Sequence, residues 1–229
     1  QRLDDKVKCE QLKMKLKEYE QLKTELDQLN EQNNDLLAQQ KQVTERLNDI
    51  KKVAVLMATY NGSLYLEEQI DSILNQEEIQ ANIFFSDDCS EDNTGEILKK
   101  YCSKYNNCSL ISEYRKHGSA SENFFYLLKN VPLEEFDYVS FSDQDDVWFP
   151  KKIISGIKKI MGSNYKGYSS NVIFWKPKNN KKIIKKNQKQ TKYDYMFQSG
   201  GPMSTYILKA TAAVEFTHFI KKIPHKKRK

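Results

Sequence analysis

Three short apolar runs in this chain each break off on polar, mostly acidic residues, and that repetition limits the folds open to it. Val53-Ala-Val-Leu-Met-Ala58 gives way to Thr59-Tyr60-Asn61-Gly62. Ala81-Asn-Ile-Phe-Phe85 gives way to Ser86-Asp87-Asp88-Cys89-Ser90, and the run from Phe136 to Phe141 to Ser142-Asp143-Gln144-Asp145-Asp146. Continuous apolar runs of this length suit strands covered on both faces. Between them, Leu64, Leu66, Ile70, Ile73 and Leu74 keep helical spacing as far as Gln76. Asp92 to Tyr105 reads as a helix with Ile97, Leu98 and Tyr101 on one side, Ser109 to Ser112 as a further strand, and Ser121 to Leu128 as a short helix after Gly118. Another helical pattern starts behind Pro150, and Leu208 to Ile220 reads as a last helix. Alternating strands and helices predict an α/β domain with a mostly parallel sheet flanked by helices. Parallel strands put their polar ends on one edge, where open α/β sheets bind ligands.

Asp143, Asp145 and Asp146 place three carboxylates within four positions on that edge. A cation relieves their mutual repulsion. Hard oxygen donors at this density suit Mg²⁺ or Mn²⁺, and Mg²⁺ is usually shared with substrate phosphates. An acidic surface turn would carry the same residues, so the cluster alone leaves both readings open.

Residues 1–50 differ in kind. They contain no Gly and no Pro, and from Leu12 their apolar positions fall into a heptad. One seam position reads Leu12, Tyr19, Leu26, Asn33, Gln40, Leu47; the other reads Lys15, Leu22, Leu29, Leu36, Val43, Ile50. Steps alternating between three and four residues predict a coiled coil. Fully helical, the segment would run about 75 Å at a rise of 1.5 Å per residue. Asn33 on the seam fixes register and favours two parallel strands, so a homo-oligomer is expected. Leu3 and Val7 leave the phase, which predicts fraying or a stutter in the first turns. A single amphipathic helix packed on its own globular domain is the other reading. The pattern is already under way where the sequence starts, which fits a fragment of a longer coil. The expected organisation is therefore an oligomerisation helix over 1–50 and an α/β domain over 51–229.

Charge divides the chain further. The net charge of +6 is the sum of −2 over 1–50, −10 over 51–149 and +18 over 150–229. Eight lysines fall between Lys176 and Lys192, a stretch that reads as an exposed hairpin or loop. A basic surface attracts anionic lipid headgroups, and a solvated lysine-rich face would look the same. No recognisable nucleic-acid module accompanies these lysines, so nucleic acid is not an expected partner. The cysteines, Cys9, Cys89, Cys102 and Cys108, lack metal-site spacing, and the histidines, His117, His218 and His225, are scattered. Zinc and a disulfide framework are not expected. No apolar run approaches the roughly 18 residues of a membrane span, and no signal peptide is legible. A cytoplasmic location is expected, with the inner membrane face as a docking place.

The three motifs together, Val53–Gly62, Asp87-Asp88-Cys89-Ser90 and Asp143-Gln144-Asp145-Asp146-Val147-Trp148, resemble those of family 2 glycosyltransferases over about residues 52–160. The wording around Asp143 is most similar to bacterial rhamnosyltransferase-like members that build surface polysaccharide. The resemblance implies a GT-A (Rossmann-like) fold, a metal-dependent inverting transfer, and a UDP- or dTDP-linked sugar donor. It implies a glycan or lipid-linked acceptor.

Carried over residue by residue, Thr59, Tyr60 and Asn61 would line the nucleotide-base pocket, with Glu67 reaching in from the next helix. Asp88, beside Asp87, would accept from a uracil or thymine N–H. An acid-rich helix start is the other reading of that pair. Asn123 and Gly118 would lie near the donor sugar, and Arg115, Lys116 and His117 would contact phosphate or form a solvated loop. Asp143 and Gln144 would face the donor, and Asp145, with Asp143 and Asp146, would hold Mg²⁺ or Mn²⁺. Trp148 would be a wall of the sugar site or part of the core. The family's catalytic base follows an acceptor loop, whose start resembles Gln198-Ser199-Gly200-Gly201-Pro202. Downstream of the cluster only Asp194 and Glu215 offer a carboxylate, both weak base candidates outside the family's usual base motif, so the expectation is a domain truncated short of its base, a fragment or a donor-binding domain without full activity. A coiled-coil scaffold whose head binds a nucleotide sugar or glycan without turnover is the rival reading.

Overall fold

The computed structural model describes residues 2–112, 116–176, 180–185 and 202–222. The chain divides into two compact units, Gln1–Ile50 and Lys51–Lys229.

The first unit is one helix, α1 (Arg2–Asp49). It is helical from Arg2 onward, so the phase change at Leu3 and Val7 does not unwind it. Among the described seam side chains the leucines are open to solvent: Leu12 is 67% exposed, Leu29 61% and Leu36 63%.

In the second unit the elements run β1 (Lys51–Thr59), α2 (Leu66–Leu74), β2 (Ile79–Asp87), α3 (Thr94–Lys104), β3 (Cys108–Ser112), α4 (Ala120–Asn130), β4 (Tyr138–Ser142) and α5 (Lys152–Ile160). They continue with β5 (Gly167–Tyr168), β6 (Val172–Lys176), β7 (Asn180–Ile184), β8 (Ile207–Lys209) and α6 (Ala210–Lys222). The main sheet has six strands in the order β3-β2-β1-β4-β8-β5. Its first four strands are mutually parallel. The last two are not: β8 runs antiparallel to β4, and β5 antiparallel to β8. Ile207 to Lys209 is therefore strand, where the apolar spacing predicts the start of a helix; α6 begins at Ala210.

The apolar runs are continuous because both sheet faces are covered. Val53, Val55 and Met57 of β1 point into a core with Ile70 and Ile73 of α2, Leu98 of α3 and Ile153 and Ile157 of α5. Ala54 and Leu56 point the other way, onto Phe124 and Leu127 of α4 and Ala213 of α6. Fully burying one such aliphatic side chain contributes about 1.5–3 kcal/mol. Trp148 is 4% exposed and belongs to the first of these cores, so it is packing rather than the wall of an open site.

β6 and β7 form a separate hairpin. The exposed hairpin expected from Lys176 thus starts at Val172, and the lysines beyond residue 185 lie outside the described residues.

Candidate functional site

The carboxyl ends of β1, β2 and β4 lie side by side. Thr59 is level with Asp87, and Met57 with Ser142. The chain then turns sharply: Asn61 and Cys89 adopt left-handed backbone, at φ 49° and 59°. Asn tolerates that region because its short amide bonds locally, whereas a Cys there is uncommon.

Side chains tie the β1 and β2 loops together. Thr59 Oγ1 donates to Asp87 Oδ1 at 2.8 Å, and Ser90 reaches the same carboxylate through its amide at 2.8 Å and its hydroxyl at 2.6 Å. Asn61 N donates to Ser90 Oγ, and Asn61 Oδ1 accepts from Glu91 N, both at 2.8 Å. Asp87 is 8% exposed, and its oxygens are engaged in holding these turns. Asp88 is half-buried and carries a different load. It accepts from His117 N and Gly118 N, the latter at 2.9 Å to Oδ2. Gly118 sits at φ +80°, which turns its N–H toward that carboxylate. A carboxylate has about four acceptor positions, so Asp88 keeps capacity for a ligand donor. His117 Nε2 lies 3.3 Å from Ser86 Oγ, and its ring packs on Tyr126 at 4.9 Å. His117 is therefore packed against the end of β2 and against α4 rather than part of a solvated loop. Asn123 is buried, with Nδ2 donating to Ser86 O at 2.8 Å; among the described residues its Oδ1 and Trp148 Nε1 are the buried side-chain atoms without a partner.

Beyond β4 the carboxylates differ in surroundings. Asp145 is exposed, while Asp143 and Asp146 are half-buried. Burial raises the Asp143 pKa above the ordinary range, and the charges of Asp146 and Asp145 raise it further; hydrogen bonds from Ser204 pull the other way. Lys152 Nζ sits 3.3 Å from the centre of the Trp148 ring and donates to Ser204 O at 2.7 Å. Burial lowers its pKa to about 7, against the opposing pull of Asp146 and Asp143. Ser204 thus joins the carboxylate end to the turn Met203–Thr205. Neither Ser204 nor Lys152 stands out in the sequence; Lys152 looks no different from its neighbour Lys151.

Carboxylate oxygens suit a hard divalent cation, which would offset both the burial and the neighbouring charges that raise Asp143. Among the described residues, however, no three His, Cys, Asp or Glu side chains converge closely enough to hold one.

Other residues expected at the site lie elsewhere. Glu67 is exposed and pairs with Lys100 of α3 at 2.7 Å. Glu215 pairs with Lys166. Lys209 is level with Tyr138, and Ala210 N donates to Asp137 O, so α6 starts at the amino end of β4, opposite the carboxylates. Asp194, Arg115 and residues 198–201 lie outside the described residues. Among the described residues no helix is long and apolar enough to cross a membrane.

Comparison with known proteins agrees with this architecture. The family model "Glycosyl transferase family 2" matches residues 54–215. The dTDP-rhamnosyl transferase RfbG of Shigella flexneri is 42% identical over 165 residues, 72% of this chain and 57% of that protein. The minor teichoic acid biosynthesis protein GgaB of Bacillus subtilis is 39% identical over 98 residues, 41% of this chain and 10% of that protein. The chain thus spans little more than half of the Shigella relative. S. aureus TarS, crystallised in complex with UDP, superposes with a TM-score of 0.56 at 19% identity, over 72% of this chain and 48% of that one. At that identity the likeness speaks for the fold, a mostly parallel sheet with flanking helices of the GT-A kind. With three motif loops on one sheet edge and a family match over residues 54–215, the chain belongs to glycosyl transferase family 2.

Proposed function

We propose that this chain binds a nucleoside-diphosphate sugar on the β1–β2–β4 edge and transfers the sugar, with inversion, to a glycan or lipid-linked acceptor. The observation that carries the reading is the set of carboxylates Asp143, Asp145 and Asp146 at the end of β4, on the same sheet edge as the turns that hold Thr59, Asp88 and His117. Burial raises Asp143, and the charges of Asp146 and Asp145 add to it, so a cation there would favour the charged cluster. The named relative is a dTDP-rhamnosyl transferase, which favours a deoxysugar on a thymidine diphosphate donor. TarS structures hold UDP and UDP-GlcNAc on the same fold, which favours a pyrimidine nucleotide on this edge.

In this reading Tyr60 and Asn61 border the base, and Asp88 accepts its imide N–H. Asp145, Asp143 and Asp146 would have to draw closer than they lie in this structure to hold Mg²⁺ or Mn²⁺, which would supply charge neutralisation for the departing diphosphate. An acceptor hydroxyl attacks the anomeric carbon from the face opposite the diphosphate. The new C–O bond forms as the bond to the diphosphate breaks, and the hydroxyl proton passes to a carboxylate base. Glu215, paired with Lys166 at the other end of β4, is set apart from that role, and Asp194 stays a weak candidate for it beside a base supplied from outside residues 1–229. The exposed seam of α1 joins copies of the chain, and the lysines of 176–192 draw the domain to the anionic inner face of the cell membrane.

The test is calorimetric titration of UDP and dTDP, with and without Mn²⁺, beside a donor-hydrolysis assay on the same sample. Metal-dependent binding with turnover supports the enzyme. Binding without turnover supports a donor-binding head on a coiled-coil scaffold, and no binding of either nucleotide overturns the reading. Asp145→Ala is expected to abolish the Mn²⁺ dependence and leave a weak, metal-independent affinity.

A further inference from the structure

The backbone ladder between β1 and β4 ends at Met57 and Ser142. Just beyond it, the side chain of Gln144 takes over. Its Oε1 accepts from Tyr60 N at 2.7 Å, and its Nε2 donates to Tyr60 O at 2.9 Å. A carboxamide carries the same donor and acceptor pair as a peptide group, so Gln144 adds a rung to the sheet with its side chain. The stretch from Asp143 to Asp146 thereby stays beside β1 without continuing the backbone ladder, with Asp143 held by Ser204 on one side of Gln144 and Asp145 exposed on the other.

Gly62 makes room for this rung. A Cβ at Gly62 would lie 2.4 Å from Gln144 Oε1 and 2.5 Å from its Cδ. Gly62 is not in the left-handed region, so its reason for lacking a side chain is the approach of Gln144 rather than its backbone angles. Gly62 is itself pinned, with its N–H donating to Thr94 Oγ1 at 2.9 Å.

We propose that Gln144 is a positioning residue that fixes the distance between the β1 loop at Tyr60, where the nucleobase would bind, and the carboxylate cluster, with Gly62 as its seat. The inference rests on the donor-site reading above. A nucleotide is a two-ended ligand: its base meets the β1 and β2 loops, and its diphosphate meets the end of β4. Holding the two half-sites at a set spacing removes an ordering cost that such a ligand would otherwise meet on binding. A one-ended ligand gains nothing from that spacing. Uridine and thymidine, which have no diphosphate, are therefore the controls.

The experiment compares wild type, Gln144→Met, Gly62→Ala and the double variant by calorimetry with UDP or dTDP plus Mn²⁺. The same proteins are titrated with the matching nucleoside at millimolar concentration, and thermal melting confirms that each is folded. Gln144→Met keeps length and loses both hydrogen bonds; Gly62→Ala pushes the carboxamide off its seat. Each is expected to weaken diphosphate binding about tenfold, the size of one or two lost hydrogen bonds, and to leave nucleoside binding unchanged. The double variant is expected to be no weaker than either single one, because both remove the same rung. Gln144→Glu keeps an acceptor for Tyr60 N but sets an oxygen against Tyr60 O, and is expected to fall between; it also serves if Gly62→Ala does not fold.

Unchanged diphosphate affinity in Gln144→Met overturns the proposal. So does a proportional loss of nucleoside binding, which would make Gln144 a part of the pocket wall. Additive losses in the double variant overturn the pairing with Gly62. A wild type that binds neither diphosphate overturns the donor-site reading itself and this inference with it.

Discussion

Asp87 and Asp88 are neighbours with the same side chain, yet the fold gives them opposite duties. Strand register sets Asp87 against Thr59 and buries it under three donors, while Asp88 turns to the His117–Gly118 loop and keeps acceptor capacity. Their local sequence does not separate them, because Ser90 is near both and the deciding partners, Thr59, His117 and Gly118, lie about thirty positions away. Asp92 shows the same logic with a measurable consequence. Burial pushes its carboxyl up, but hydrogen bonds from Thr94 and Ser63 outweigh this and hold it at about 2, below the ordinary 3.8. As pH falls, the unfolded chain takes up this proton before the native chain does. Asp92 therefore contributes stability that is complete above about pH 4 and lost as pH drops toward 2. The side chain is exposed, so its worth at neutral pH is under about 1 kcal/mol. Urea midpoints at pH 7 and pH 3 should converge in Asp92→Asn relative to wild type. An unchanged acid dependence would show that Asp92 is not the group titrating.

The four parallel strands and the helices between them are legible from sequence, since double-sided burial leaves long apolar runs and one-sided burial leaves helical spacing. β8 is not. Its three residues, Ile207 to Lys209, are too few to show a period, and they run into the apolar pattern of α6. What identifies them is the neighbourhood: Ser140 Oγ donates to Tyr206 O at 3.0 Å, and Ile207 lies on Gly156 of α5. A Cβ at Gly156 would come within 2.4 Å of Ile207 Cδ1 and 2.9 Å of Tyr168 Cδ1. Gly156→Ala should therefore overpack the β8–β5–α5 junction and cost about 1–3 kcal/mol in chemical denaturation. Ile207→Val in the same background removes the offending methyl and should recover part of the loss. Failure of that rescue would mean that Tyr168, not Ile207, sets the limit. The three motif loops are legible in the sequence because each is contiguous. The node joining Asp143, Ser204 and Lys152 was not, because it gathers residues from β4, a turn after Pro202 and the first turn of α5.

At the scale of the molecule, α1 presents a line of leucines to water with no reason to do so alone. Leu22 is 58% exposed and Leu26 57%, on a seam that continues for five heptads from Leu12 to Leu47. Burying each such side chain against a partner helix is worth about 1.5–3 kcal/mol, several times the bias that intrinsic helix propensity gives any one residue. A second copy of the chain meets the seam best in parallel and in register. Asn33 then faces Asn33, and Gln40 faces Gln40, so each amide finds a matching one. In an antiparallel pair the same two amides would be set against leucines and left unpaired. The parallel register also brings Glu18 of one helix beside Lys23 of the other, the usual flanking pair of such coils. Sedimentation equilibrium should therefore give twice the chain mass of 26.9 kDa at micromolar concentration. With Cys9→Ser removing the native thiol on the helix, Asn33→Cys should oxidise to a symmetric disulfide, which only the parallel, in-register pair permits. Leu22→Lys with Leu29→Lys should yield a monomer whose affinity for UDP or dTDP is unchanged, since neither residue belongs to the α/β unit. A wild-type monomer at every concentration would remove the pairing, and a dimer that fails to cross-link at position 33 would keep the pairing but rule against the parallel, in-register arrangement.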